Sequence, residues 1–167
     1  SANPALVRYK YSNDYWAWVY LNDTIQNLYE PGSIMKPVTV AAWIDSWEIR
    51  RYDIYKDPGY AEVGDFKIKN VSNMCLWYKT VQNALNFSCN VWMLKIAEQV
   101  GKSLFSKYLY DFWFGKLTWI NLEWERTGEI TPYEKWSRAQ LFTTSFGQWI
   151  VTTPLQMARA YSTIANW

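Results

Sequence analysis

Leu28-Tyr29-Glu30-Pro31-Gly32-Ser33-Ile34-Met35-Lys36-Pro37 is the stretch on which the reading of this chain turns. Ser33 and Lys36 stand three residues apart, and positions i and i+3 of a helix share a face. Ser33 to about Ser46 reads as a helix. Pro37 falls within its first turns, where a missing N–H does least harm. Met35, Val38, Val40, Ala41, Ala42 and Ile44 make it apolar on most sides, the pattern of a buried helix. A lysine can serve as base for a serine nucleophile. With a free pKa near 10.4, only about one lysine in 2,500 is neutral at pH 7, so burial must lower that value. Ser33 also opens the helix, where its own N–H lacks an intrahelical acceptor and is free to form half of an oxyanion hole. A serine three residues before a lysine is common by chance; by itself it reads as an N-cap followed by a surface lysine.

The 167 residues contain no histidine, which removes Ser-His-Asp and Cys-His catalysis and the commonest metal ligand. Seventeen basic and fifteen acidic residues give a net charge of +2, so the balance points to no nucleic-acid partner. Cys75 and Cys89 are too few for a zinc site or a disulfide framework; they read as two small buried thiols, a single bridge being the minor alternative. No stretch approaches the roughly 18 apolar residues that cross a membrane, and no signal sequence opens the chain. Half the residues are hydrophobic, enough for one domain with a core, so residues 1–167 are read as a single domain. Seven glycines, about 4%, fall below the ordinary 7% or so, while tryptophans number 12.

Outward from the first stretch, residues 1–30 have weak periodicity and suit strand or loop. Asp57-Pro58-Gly59 is a turn signal and Phe66-Lys67-Ile68 a short alternating strand. Helices are expected at Thr80–Asn86, at Asn90–Val100 with Val91, Leu94, Ala97 and Val100 inward and Gly101 as stop, and at Ser103–Phe112. Residues 113–137 are turn-rich. Thr153-Pro154 then starts a helix over Leu155 to about Ala165, with Leu155, Ala158, Tyr161, Ser162 and Ala165 on one stripe. Helices outnumber short antiparallel strands, an α+β pattern.

Three more segments lift Ser33 and Lys36 above chance. Ser88-Cys89-Asn90 stands at a helix start. Phe112-Trp113-Phe114-Gly115-Lys116-Leu117-Thr118-Trp119-Ile120 follows, and then Thr144-Ser145-Phe146-Gly147-Gln148-Trp149 running on to Thr153-Pro154-Leu155-Gln156. In this order they resemble the E-P-G-S-x-x-K, S-x-N, F-G-F-G-x-x-T-G-I and S-F-G-Q-G-x-x-x-T-P-L-Q segments of the penicillin-binding protein transpeptidase domain, class B-like, of the serine β-lactamase/D,D-transpeptidase superfamily. The resemblance covers residues 27–167.

It implies a mostly antiparallel sheet with a helical subdomain, no metal or cofactor, and stem peptides ending in D-Ala-D-Ala as substrate, with β-lactam antibiotics as mimics. Ser33 would be the nucleophile and Lys36 its base. Ser88 would relay the proton to the leaving amine, and Asn90 would hold the substrate amide and the lysine. The place implied is the extracytoplasmic face of a bacterial membrane, with an anchor outside these residues and divisome or elongasome proteins as partners. A K-[ST]-G triplet is expected after the last helix; Arg126-Thr127-Gly128 and Lys116-Leu117-Thr118 come too early to be it. The chain therefore reads as an incomplete transpeptidase domain lacking C-terminal strands and inactive alone. A penicillin or peptidoglycan sensor, a pseudoenzyme with Trp92 in its pocket, and a β-lactamase-type hydrolase are the other readings.

By alignment with those segments, Trp47, Trp77, Trp92, Trp113, Trp119, Trp124, Trp149 and Trp167 fall in glycine slots. Trp47 and Trp167 follow helix ends, where glycine is usual, and Trp113 and Trp119 lie in tight turns. The expectation is glycine at these eight sites in the natural protein, written as Trp wherever the codon is UGA. Trp136 fits no such slot.

Overall fold

The computed structural model describes residues 21–166; most of the 1–30 segment, with Trp16, Trp18 and Trp167, lies outside them. After α1 (Asp23–Gln26), the chain enters a 3₁₀ turn, Gly32–Met35, that runs directly into α2 (Lys36–Asp45). The expected helix is thus present, with its first turn tightened to 3₁₀. Three hairpin-scale strands follow, β1 (Ile54–Asp57), β2 (Tyr60–Val63) and β3 (Phe66–Lys69), then a 3₁₀ turn, Asn73–Cys75, and β4 (Trp77–Thr80). Helices α3 (Val81–Asn86), α4 (Asn90–Val100) and α5 (Lys102–Asp111) come next. The turn-rich region holds β5 (Glu129–Ile130) and a 3₁₀ turn, Tyr133–Lys135, and the chain closes with α6 (Arg138–Ser145), β6 (Ile150–Val151) and α7 (Pro154–Ala165).

The strands form three antiparallel pairs, β1 with β4, β2 with β3 and β5 with β6. Pairing sets Ile54 opposite Thr80, Tyr60 opposite Lys69 and Glu129 opposite Val151. The architecture is α+β, as the pattern suggested. Buried α2 packs on α5 and α7, and α4 packs on α5 and α6 with β1 and β3 against it. Val38, Trp43, Trp92, Ile96, Phe105, Leu109, Phe142, Met157 and Ala160 make the core between them.

Local chemistry explains the helix boundaries. Thr80 caps α3 through Asn83 N–H, and Gly101 ends α4 at φ 77°, a conformation that disfavours a side chain. Thr153 and Gln156 form a reciprocal capping box on α7. The inward face of α7 differs from the expected one. Gln156, Met157 and Ala160 are buried, while Ala158, Tyr161, Ser162 and Ala165 face out. Gln156 is drawn inward by its bonds to Thr152, to the Thr153 N–H and to the Lys116 and Thr127 carbonyls, and the helix turns with it.

The two cysteines are not free thiols: Cys75 and Cys89 are disulfide-bonded, their Cα atoms 5.5 Å apart. Both are inaccessible, as expected, but the bridge replaces the expected pair of thiols. β4 and α3 fold back on themselves and return residue 89 to the turn that carries residue 75.

Among the described residues eight non-glycine residues have positive φ, and six are tryptophans: Trp47 (62°), Trp77 (71°), Trp113 (76°), Trp119 (63°), Trp124 (66°) and Trp149 (60°). All six belong to the expected glycine slots. Left-handed backbone costs a side-chain-bearing residue about 1–2 kcal/mol. Six such positions total about 6–12 kcal/mol, the size of a whole domain's stability. Trp92 departs from the expectation. It sits inside α4, fully buried, with its ring 5.9 Å from that of Tyr55. Its backbone is helical, so nothing in its conformation demands glycine.

Gly147 is the tightest point near Ser33. A Cβ there would lie 2.2 Å from the Gly32 carbonyl oxygen and 2.6 Å from its nitrogen. Gly147→Ala should destabilise the chain by about 2 kcal/mol or more, read as a lower urea midpoint at unchanged slope.

Candidate active site

Ser33 lies in the first turn of the 3₁₀ segment with its side chain exposed, and Lys36 begins α2 one turn later, 2% exposed. The loop before Ser33 is held from the far end of the chain. Tyr29 and Thr152 exchange two backbone hydrogen bonds of 3.0 Å, and Gly32 N–H donates to the Gly147 carbonyl at 2.8 Å. Trp149 N–H donates to Glu30 Oε1 at 2.9 Å. The Ser145-Phe146-Gly147-Gln148 segment is therefore a brace for the serine loop.

Lys36 reaches across to the start of α4. Its Nζ donates to the Ser88 carbonyl at 2.7 Å, to Ser88 Oγ at 2.8 Å and to Asn90 Oδ1 at 2.7 Å. An ammonium has three N–H groups, and all three are used. Burial opposes the charge and lowers the lysine pKa from 10.5 to about 8. The larger neutral fraction required by the spacing argument is thus supplied by α2 being a core helix.

Of the four residues singled out in the sequence, three are joined through one side chain: Lys36 bonds both Ser88 and Asn90. Ser33 stands one turn before Lys36, but among the described residues no hydrogen bond joins the two. Ser88 holds its place at φ 56°, a strained conformation for serine, and so aims both its carbonyl and its hydroxyl at Lys36.

Sequence reasoning missed the supports. Asn90 Nδ2 donates to the Lys69 carbonyl at 3.2 Å. Asn70 Oδ1 accepts from Val91 N–H at 3.0 Å and caps α4, while Asn70 Nδ2 donates to Asp57 Oδ1 at 2.9 Å. Asp57 is 1% exposed and also accepts from Gly59 N–H at 2.7 Å. Asp57 beside Pro58-Gly59 was legible as a turn; its partner 13 residues on was not. The disulfide adds a covalent tie, since Cys89 lies between Ser88 and Asn90. The two early triplets have another use. Gln156 Nε2 donates to the carbonyls of Lys116 at 2.8 Å and Thr127 at 2.6 Å, which binds both triplets to α7.

The same chain matches the family model described as penicillin binding protein transpeptidase domain over residues 3–167. It is 33% identical over 146 residues to stage V sporulation protein D of Bacillus subtilis, covering 87% of this chain and 23% of that protein. It is 32% identical over 146 residues to the peptidoglycan D,D-transpeptidase FtsI of Escherichia coli, covering 87% of this chain and 24% of that one. Among solved structures, penicillin binding protein 3 of Mycobacterium tuberculosis superposes with a TM-score of 0.81 at 27% identity, covering 87% of this chain and 32% of that one. The chain belongs to the penicillin-binding protein transpeptidase family, and its fold is that of the family's catalytic domain. Its relatives thus include a peptidoglycan D,D-transpeptidase, FtsI, beside stage V sporulation protein D and the penicillin-binding protein PbpB of Mycolicibacterium smegmatis, and the chain spans less than a quarter of the first of them.

Replacing both cysteines with alanine opens a loop of sequence separation 14. It should lower stability by about 3 kcal/mol, the closure entropy of such a loop, measured by denaturant unfolding under non-reducing conditions. The wild-type chain with reductant should fall to the same value.

Proposed function

We propose that these residues form part of a peptidoglycan D,D-transpeptidase that works through an acyl-enzyme on Ser33. The observation that supports it most is the buried, weakened Lys36, bonded to Ser88 and Asn90 one turn from an exposed serine. Ser33 Oγ attacks the penultimate D-Ala carbonyl carbon and its proton passes to Lys36 Nζ. The C–N bond to the terminal D-Ala breaks. Ser88, both donor and acceptor, passes a proton from Lys36 to the departing amine. An amine of a second stem peptide then attacks the ester, forms the cross-link and frees Ser33. Asn90 keeps Lys36 in place and holds the substrate amide by hydrogen bonding. A β-lactam enters by the same attack, but its ring opens with no group leaving; the M. tuberculosis relative has been solved in complex with aztreonam.

The reading carries a place and partners with it. The site faces the cell wall outside the cytoplasmic membrane, and divisome or elongasome proteins are its neighbours. Among the described residues no helix is long and apolar enough to cross a membrane. Residues 1–167 act as one domain. They contain no K-[ST]-G triplet, so the second oxyanion donor and the carboxylate anchor are supplied by residues other than these. The sensor reading would share Ser33 and Lys36. The pseudoenzyme reading loses its motive, because the Trp92 side chain is in the core against Tyr55.

A fluorescent penicillin should label the chain at Ser33 slowly, roughly 100- to 1,000-fold below a complete site, as expected for one missing oxyanion donor. Ser33→Ala should abolish the adduct in intact mass. The labelling rate should rise with pH and level off above about 8, where Lys36 is neutral. Label on another residue, or fast turnover of D-Ala-D-Ala peptides by this chain alone, would contradict the assignment.

A further inference from the structure

Among residues 21–166 the backbone visits the left-handed region at fifteen positions: all seven glycines, Ser88, Asn121 and six tryptophans. Asn121 is an understandable visitor, because a short polar side chain can bond locally there, and the strained Ser88 is met by Lys36 at both its carbonyl and its hydroxyl. Tryptophan has no such compensation, and positive φ is a genuine outlier for a bulky residue. Yet six of the nine tryptophans in this range adopt it, from 60° to 76°.

Their side chains supply no reason to be there. Trp47, Trp77, Trp119, Trp124 and Trp149 are exposed, between 63% and 86%. Two make contacts: Lys56 Nζ lies 5.9 Å from the exposed Trp77 ring, and the Trp113 indole N–H donates to the Leu117 carbonyl at 2.7 Å with Arg159 4.4 Å from its ring. Trp136 has the opposite character. It is buried, its indole N–H donates to the Thr131 carbonyl at 2.7 Å, its ring meets Phe105 edge-on at 6.1 Å, and its φ is −68°. One residue type thus covers two populations, one packed like tryptophan and one folded like glycine.

Three of the positions also act as glycines do. Trp47 follows the end of α2, where its N–H bonds the Ile44 carbonyl at 3.1 Å. Trp113 does the same after α5, donating to the Tyr110 carbonyl at 3.1 Å. Both are the left-handed stop that ends helices. Trp149 turns the brace beside the Ser33 loop.

We infer that the natural protein carries glycine at residues 47, 77, 113, 119, 124 and 149, each encoded by UGA and inserted as glycine by the cell that makes the protein. A single reassigned codon accounts for all six, whereas six independent substitutions to the largest side chain, all at left-handed positions, would have no common cause. The inference rests on backbone conformation and does not depend on the catalytic reading of Ser33.

Two measurements test it. The gene should show UGA at the six positions and UGG at Trp136, and peptides of the protein recovered from its own cells should have glycine masses at the six. UGG at these positions, or tryptophan in the native peptides, overturns it. Independently, the chain with all six replaced by glycine should melt about 10 °C or more above the tryptophan-bearing chain, while Trp136→Gly melts lower. A fall in melting temperature for the six-fold variant would overturn the inference on physical grounds.

Discussion

The Lys36 side chain, buried with all three donors committed to Ser88 and Asn90, is the contact on which the rest of the structure depends. It joins α2 to the start of α4 across 52 and 54 residues of sequence. It also contains an opposition. Three acceptors suit an ammonium, while burial favours the neutral amine, and burial prevails far enough to bring the pKa to about 8. Such a lysine is still largely protonated at neutral pH, yet far more ready to release its proton than a surface one. Because the folded value lies below the unfolded 10.5, the unfolded chain binds more protons between about pH 8 and 10.5, and stability rises with pH across that window.

The surrounding structure holds the two helix starts against each other. Ser88 stays left-handed because its neighbour Cys89 is tied to Cys75 and Asn70 caps the helix that Asn90 opens. Asp57 anchors Asn70 from the end of β1. On the other side, the Gly147 carbonyl and the Tyr29–Thr152 exchange fix the approach to Ser33. The candidate site is therefore a junction of four segments distant in sequence, and folded elements stand behind Ser33, Lys36, Ser88 and Asn90.

Much of this is readable from the sequence alone. Helices α2, α4 and α7 announce themselves through Pro37, Gly101 and Thr153-Pro154, because capping is local chemistry. The apolar surroundings of α2 give Lys36 its character, and the four ordered segments give the family. What escapes is non-local. The partners of Asn70 and Cys75 lie 13 to 21 residues away across a strand turn or a helix, and no periodicity announces such pairs. The face of α7 is misread because the buried residue at its start is a glutamine, which apolar patterning discounts. The glycine-like tryptophans are legible for the converse reason: a positive φ after a helix end is a local demand, and tryptophan does not meet it.

Titrating Lys36 Nζ itself is the most direct measure of the account. With lysine isotopically labelled, the resonance lost in Lys36→Met should follow a midpoint of about 8. The same resonance should move toward the ordinary range in a chain whose Lys36 is exposed by a destabilised α2. A Lys36 midpoint near 10.5 in the folded chain would mean that the amine is an ordinary surface cation, and the account of Ser33 activation would be wrong.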